Sequence, residues 1–281
     1  MDTITAIAFL FGLASALGIV LAVANSRLRV YEDPRIDHIA DILPGNNCGA
    51  CGLPGCRAFA EKVVDGEVQP SDCPPGGADT AAIVADFLGI EAGEAVPKTA
   101  RLLCAGGTNV AKQMVEYAGY RSCRAAAAVS GGGKACRFGC LGFADCETVC
   151  DFDAIEMSPT GLPIISLEKC TTCGDCVDIC PVDLIEILPV EQHLVVQCKS
   201  LLEGDEMLDA CKVGCTACGR CAADAPAGVL TMKNNLPEFN LELAHLQTAA
   251  AVTRCPTNAI VWIEGQQFEG VKWDRSPTPT V

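Results

Sequence analysis

Twenty cysteines in 281 residues dominate this sequence, and most stand in runs whose spacing suits metal–thiolate chemistry. The plainest is Cys170-x2-Cys173-x2-Cys176-x3-Cys180-Pro181, the bacterial ferredoxin spacing. Two-residue gaps let successive thiolates wrap three corners of a cubane, while the fourth cysteine serves the other cluster of a two-cluster fold. Zinc sites use Cys-x2-Cys hooks separated by a longer loop, so three cysteines in one tight run before Cys-Pro suit zinc poorly. A partner run lies upstream, Cys136-x3-Cys140-x5-Cys146-x3-Cys150. Phe143 stands where its middle cysteine would sit, and Cys136 can supply the missing ligand from the N-terminal side. Crossed ligation then predicts one cluster on Cys136, Cys140, Cys146 and Cys180, and another on Cys150, Cys170, Cys173 and Cys176.

An internal repeat extends the pattern. Cys123, Cys136, Cys140, Cys146 and Cys180 recur as Cys198, Cys211, Cys215, Cys221 and Cys255, each 75 residues on. Five matches at one offset point to duplication. The second copy keeps Cys215-x2-Cys218-x2-Cys221 and Cys255-Pro256, enough for one cluster. The counterparts of the other ligand set fall at Ala225, His245, Thr248 and Ala251. All four losses belong to one crossed set, so this copy reads as a module that kept one cluster and shed the other. His245 is either a residual ligand or a surface histidine.

A fourth set, Cys48-x2-Cys51-x4-Cys56-x16-Cys73, has no ferredoxin spacing. In a Gly/Pro-rich loop it can cage one cluster, with zinc as the alternative. Cys104, Cys123, Cys198 and Cys211 are left over; they are either buried thiols, since cysteine packs as a small apolar residue, or the ligands of a fifth cluster.

The elements that position these thiols are short. Asp33-Pro34 opens a helix carrying Ile36, Ile39 and Leu43 at helical spacing, and Pro44-Gly45-Asn46-Asn47 stops it. Arg57 to Val64 and Ala78 to Leu88 read as further helices. Gly89 to Lys98 reads as a linker, Ala125 to Gly133 as a Gly/Ala-rich junction, and the tail after Gly270 as loosely ordered. Aromatic residues make up only 5% of the chain, so its cores are small and metal–thiolate bonds must help to hold them. The net charge of −15 argues against a nucleic-acid partner.

From Ile4 to Ala24 the chain is apolar and uncharged, and about 20 such residues cross a bilayer as one helix. A signal peptide is the alternative, but no Lys or Arg precedes the run. Positive charge follows it at Arg27, Arg29 and Arg35, which places the bulk of the chain in the cytoplasm, where disulfides are disfavoured. Rival motifs are weak. Ser130-Gly131-Gly132-Gly133-Lys134 has the look of a phosphate loop, but Ala135 replaces the required Ser or Thr, so it reads as a hinge. No Gly-x-Gly-x-x-Gly opens a helix. His38, His193 and His245 lie far apart, with no nucleophile signature beside them, and no catalytic residue is expected.

The predicted class is α+β, with a transmembrane helix, a small helical cluster domain and two ferredoxin-like modules, the second degenerate. The expected layout is an anchor at 1–30, a four-cysteine domain at 31–95, a connecting segment at 96–132, a two-cluster module at 133–192, a one-cluster module at 193–265 and a tail at 266–281.

Leu43-Pro44-Gly45-Asn46-Asn47-Cys48-Gly49-Ala50-Cys51-Gly52-Leu53-Pro54-Gly55-Cys56, together with the apolar helix, Cys73-Pro74-Pro75-Gly76-Gly77 and Gly139-Cys140-Leu141-Gly142-Phe143, resembles the B subunit of the Rnf complex, the ion-translocating ferredoxin:NAD oxidoreductase of bacterial and archaeal membranes. The likeness covers about residues 1 to 265 and is to the long form. It implies an electron-transfer subunit of a translocase in the cytoplasmic membrane, single-pass and not catalytic alone. The four complete cysteine sets predict four 4Fe–4S clusters, and the likeness implies soluble ferredoxin as electron donor and membrane and flavin-bearing subunits as neighbours. Asp151 departs from the family, which often has proline there.

Overall fold

The computed structural model describes residues 3–28, 32–94 and 96–268. Arg29 and the tail beyond 268 lie outside the described residues.

The apolar run forms helix α1, Thr3–Leu28, of 26 residues. At about 1.5 Å per residue it is about 39 Å long, longer than the ~30 Å hydrocarbon layer of a bilayer. Ile7–Arg27 has a mean hydropathy of 2.5 and is covered by nothing else described. Phe9, Leu10, Phe11, Leu13 and Leu17 are each more than half exposed. A helix apolar all round and bare all round is long and apolar enough to cross a membrane.

Helix α2, Pro34–Ile42, starts where the side chain of Asp33 accepts the N–H of Arg35 at 2.9 Å, with Pro34 in the first turn. It stops at Leu43, because the residue before a proline is pushed out of helical conformation. Helices α3, Cys56–Val64, and α4, Gly77–Leu88, pack beside it, and Gly89 closes α4 in the left-handed conformation. Ile39, Leu43, Phe59, Ala60, Val63 and Val84 make the core. A core this small supplies only about 3–5 kcal/mol, so ligand bonds matter to its stability.

The rest of the chain holds two units with the same order of elements. In the first, β1, Lys98–Leu102, pairs antiparallel with β4, Ile185–Pro189, from Lys98 opposite Pro189 to Leu102 opposite Ile185. Between them lie α5, Cys123–Ala128, α6, Asp145–Thr148, the hairpin of β2, Ile155–Met157, and β3, Pro163–Ile165, and then α7, Asp175–Ile179. In the second unit β5, Leu194–Val196, pairs with β8, Ile260–Trp262. Between those lie α8, Gly204–Ala210, α9, Arg220–Asp224, the hairpin of β6, Leu230–Lys233, and β7, Leu236–Phe239, and α10, Ala250–Thr253. The second hairpin turns on Asn234 and Asn235, both at positive φ, as a two-residue hairpin favours.

Two expectations change here. The stretch 96–132 is not only a connection: its β1 is the first strand of the first unit. The Gly-rich stretch is no hinge. Ser130 to Gly133 form a turn with four consecutive positive φ angles. Gly132 is buried, its carbonyl accepts from Gln113 Nε2 at 2.8 Å, and a Cβ on Gly133 would meet Val115 O at 2.3 Å. Glycine is required there by conformation and by close approach.

Candidate metal centres

The N-terminal loop folds its four cysteines around one void. Cys48, Cys51, Cys56 and Cys73 line a space of about 320 Å³ with Pro44, Phe59, Pro74 and Pro75. Gly49, Gly52 and Gly55 bend the loop at positive φ. Asn47 Oδ1 accepts the N–H of Cys56 at 2.9 Å and so fixes the start of α3. Burial pushes the Cys73 thiol up.

Three loops in the two units share one backbone. In Cys170–Cys176 the φ values of Thr172 and Gly174 are +57° and +97°; in Cys215–Cys221 those of Ala217 and Gly219 are +58° and +69°; in Cys140–Cys146 those of Gly142 and Ala144 are +76° and +66°. The alternation turns successive side chains to one side, which is how two-residue gaps let thiolates wrap a cubane. The third loop keeps this shape although Phe143 replaces its middle cysteine.

Cys123 fills that vacancy. It lines one void of about 350 Å³ with Cys140, Cys146 and Cys180. Burial raises the Cys123 thiol, while the N–H groups of Asp145 and Phe143 hydrogen-bond its sulfur. Cys173 is raised by burial in the same way and bonded by the N–H of Asp175, the positional counterpart of Asp145. The Cys123 sulfur therefore stands where a thiol at position 143 would stand. Ser122 Oγ to Asp145 Oδ2 at 2.9 Å holds α5 against the loop. Cys136, expected in this set, lies elsewhere.

Cys180 joins Cys140 and Cys146 despite its place beside Cys176. Burial pushes Cys176 up to about 12, with Cys170, Cys173 and Cys150 as its charged neighbours. Cys140 is likewise pushed up to about 12, and Cys146 further, by burial. After Cys150 and Cys180 the chain makes the same turn: Asp153 and Asp183 take positive φ, and the N–H groups of Ala154 and Leu184 reach Cys150 Sγ and Cys180 Sγ, both at 3.4 Å.

In the second unit Cys215, Cys218, Cys221 and Cys255 line a void of about 350 Å³. Burial pushes Cys221 up to about 11. Burial also pushes Cys255 up, but the N–H groups of Ile260, Thr257 and Ala259 and the Thr257 hydroxyl bring it below the ordinary thiol value. The counterpart of Cys150 is Ala225, and the turn survives the loss: Gly228, three residues on, sits at φ +83°. Ala251, another lost position, is buried in apolar packing with Leu194, Cys221, Leu230 and Ile260. His245 is exposed. His38 is also exposed and stacks on Phe87, while His193 is half-buried against Trp262 with Nδ1 at 2.7 Å from Ile263 O.

A further void of about 320 Å³ lies between the units, lined by Cys104, Cys136, Cys198 and Cys211. All four thiols are buried. The 75-residue offset misplaced one residue here. Cys104 and Cys198 each follow the first strand of their unit, so they are the structural equivalents; Cys123 belongs to extra chain in the first unit. The signal in the sequence was the gap to the first loop, 36 positions from Cys104 to Cys140 against 17 from Cys198 to Cys215.

The donor chemistry fits iron–sulfur clusters. Every cysteine is unbridged. Three of the loops place their cysteines at spacings that suit a cubane better than the paired hooks of a zinc site. Among the described residues a buried cation also lacks a counterion: Arg101 is 1% exposed, and its Nε and Nη2 have no hydrogen-bond partner there. Burial lowers its pKa, and the one charge that raises it is Cys170. An anionic thiolate-held cluster beside Cys170 supplies what the guanidinium lacks.

Comparison with known proteins agrees. Residues 43–75 match the family model FeS, described as "Putative Fe-S cluster", and residues 163–186 match Fer4, described as "4Fe-4S binding domain". The B subunit of the Na(+)-translocating ferredoxin:NAD(+) oxidoreductase complex of Acetobacterium woodii is 42% identical over 250 residues, 89% of this chain and 74% of that protein. The B subunit of the ion-translocating oxidoreductase complex of Methanosarcina acetivorans is 37% identical over 92% of this chain and 97% of that protein. The B subunit of the proton-translocating ferredoxin:NAD(+) oxidoreductase complex of Clostridium ljungdahlii is 39% identical over 86% of each.

Proposed function

The chain belongs to the B-subunit family of Rnf-type ion-translocating ferredoxin:NAD oxidoreductase complexes, and we propose from this that it relays electrons from reduced soluble ferredoxin to the membrane and flavin-bearing subunits of such a complex. It is an electron-transfer component of an oxidoreductase and does no bond-making chemistry of its own. When bound, 4Fe–4S clusters accept and release single electrons without bond rearrangement in the protein.

The observation that carries the reading is the shared left-handed loop, built three times around the regularly spaced cysteines. In this assignment Cys48, Cys51, Cys56 and Cys73 hold one cluster. Cys123, Cys140, Cys146 and Cys180 hold the second, Cys150, Cys170, Cys173 and Cys176 the third, and Cys215, Cys218, Cys221 and Cys255 the fourth. The second and third form a two-cluster ferredoxin-like module with crossed ligands, and the last belongs to a module that kept one of its two sites. The surrounding protein leaves most of these cysteines half-buried and supplies N–H groups to the sulfurs, and both exposure and such hydrogen bonds set reduction potential. Helix α1 anchors the relay, and Arg27 and Arg35 after the apolar run put the cluster domains on the cytoplasmic side.

The test is metal analysis and spectroscopy on anaerobically purified full-length protein. Four clusters require at least about 16 iron atoms per chain, with matching sulfide, and visible absorption that bleaches with dithionite. About 8 iron atoms, or stoichiometric zinc with no redox-active colour, would overturn the reading.

A further inference from the structure

The void between the two units has no place in the relay described above, and its construction is symmetric. Each unit contributes two cysteines. One follows its first strand, Cys104 after β1 and Cys198 after β5. The other stands four residues before its first cysteine loop, Cys136 before Cys140 and Cys211 before Cys215. The backbone knits the units together at this point: Ala105 N–H donates to Gln197 O at 3.1 Å, Lys112 N–H to Ala210 O at 2.9 Å and Lys212 N–H to Val110 O at 3.1 Å.

The four thiols line one shared space. Cys136, Cys198 and Cys211 touch the apolar core of Met207, Ala210 and Ala259, as buried cysteines do, but all four sulfurs also converge on one pocket, as the four of the N-terminal loop do. Their sulfurs are served as ligand sulfurs are. Cys104 Sγ accepts the N–H groups of Gly106 and Cys140, both at 3.4 Å. Cys198 is hydrogen-bonded by the N–H groups of Ser200 and Cys215, the matching positions of the other unit. Lys134 also lines the void and is held there by Nζ contacts of 2.6 Å to Gly106 O and Cys140 O. A cation at the wall of a four-thiol cage favours an anionic occupant.

We propose that Cys104, Cys136, Cys198 and Cys211 hold a fifth 4Fe–4S cluster, which joins the two ferredoxin-like modules into one conductor. The proposal rests on the iron–sulfur reading of the chain. Its position gives it a route on each side. Cys104 is hydrogen-bonded to the backbone of Cys140, a ligand in the first module, and Cys198 to that of Cys215, a ligand in the second. One electron leaving the cluster of Cys140 reduces the interface cluster, which is reoxidised as the cluster of Cys215 gains that electron; no proton or further reactant is consumed. The bridge gives the one-cluster second module a continuous connection that its lost site would otherwise have broken.

The experiment is iron and sulfide analysis with EPR spin quantitation on the anaerobically purified full chain and on its Cys136→Ser and Cys211→Ser variants. Wild-type protein should hold about 20 iron atoms, and each variant about 16, with one paramagnetic centre lost. A wild-type count of about 16, or variants that keep the full complement, overturns the fifth cluster and leaves the four-cluster relay standing. Stoichiometric zinc beside about 16 iron atoms overturns it too. A wild-type count well below about 16 overturns the relay itself. Should a variant fail to fold, the wild-type count and its spin quantitation decide alone.

Discussion

Replacing Arg101 with Met should lower the reduction potential of the cluster on Cys150, Cys170, Cys173 and Cys176. Arg101 lies on β1, 1% exposed, with Nη1 bonded to Gly265 O at 2.9 Å and two nitrogens unpartnered. Glu186, its backbone neighbour across the β1–β4 pair, is engaged by Lys199 at 2.6 Å. Among the described residues no carboxylate pairs with the guanidinium, which leaves its charge to the cluster. An opposite charge within about 4–6 Å shifts a proton affinity by about 1–3 pKa units, and the same energy acts on an added electron, for which a factor of ten corresponds to about 59 mV. Arg101→Met should thus lower that potential by about 60–180 mV, because reduction adds negative charge beside a lost cation. Arg101→Lys keeps the charge and should retain most of the potential. The assay is a redox titration followed by EPR, with the couple identified by its loss in Cys173→Ser. An unmoved couple, a rise, or a shift confined to the cluster of Cys48 would refute the reasoning.

Three other outcomes are expected. Cys123→Ala should destroy the cluster held with Cys140, Cys146 and Cys180, costing about four iron atoms, and adding Phe143→Cys should restore it, since both thiols reach the same corner; absence of rescue in soluble double variant would count against the stand-in. Cys180→Ala should damage the centre of the upstream loop and Cys150→Ala that of Cys170, Cys173 and Cys176; EPR showing the reverse assignment would reject crossed ligation. Protease added to sealed right-side-out vesicles should leave residues beyond α1 intact, and their digestion would reverse the orientation.

Much of the site was legible because cluster ligation is written in local spacing. Cys170, Cys173, Cys176 and the companions of Cys215 lie within single loops, where two-residue gaps fix the geometry. Helices α2, α3 and α4 were equally local, marked by Pro34, by apolar spacing and by Gly89. What failed was non-local. Strand β1 has five residues, one of them the buried Arg101, and its partner β4 lies more than eighty positions away; the polar–apolar alternation from Thr99 to Leu102 is at the shortest length that signals a strand. Because β1 went unseen, Cys104 had no counterpart, and the constant offset paired Cys198 with Cys123 instead. For the position that Phe143 occupies, Cys136 is the nearest thiol along the chain, whereas Cys123 is the one that α5 brings to the pocket of Cys140, Cys146 and Cys180. The Gly131–Gly133 stretch misled for another reason: left-handed turns and flexible hinges use the same residue.

The most direct test of the relay is to mix chemically reduced ferredoxin, without oxygen, with the oxidised full-length chain in detergent and follow the visible absorption. The account predicts that the chain's cluster absorption bleaches as ferredoxin reoxidises, with one electron gained for each one lost. A chain that dithionite bleaches but reduced ferredoxin leaves oxidised would contradict it.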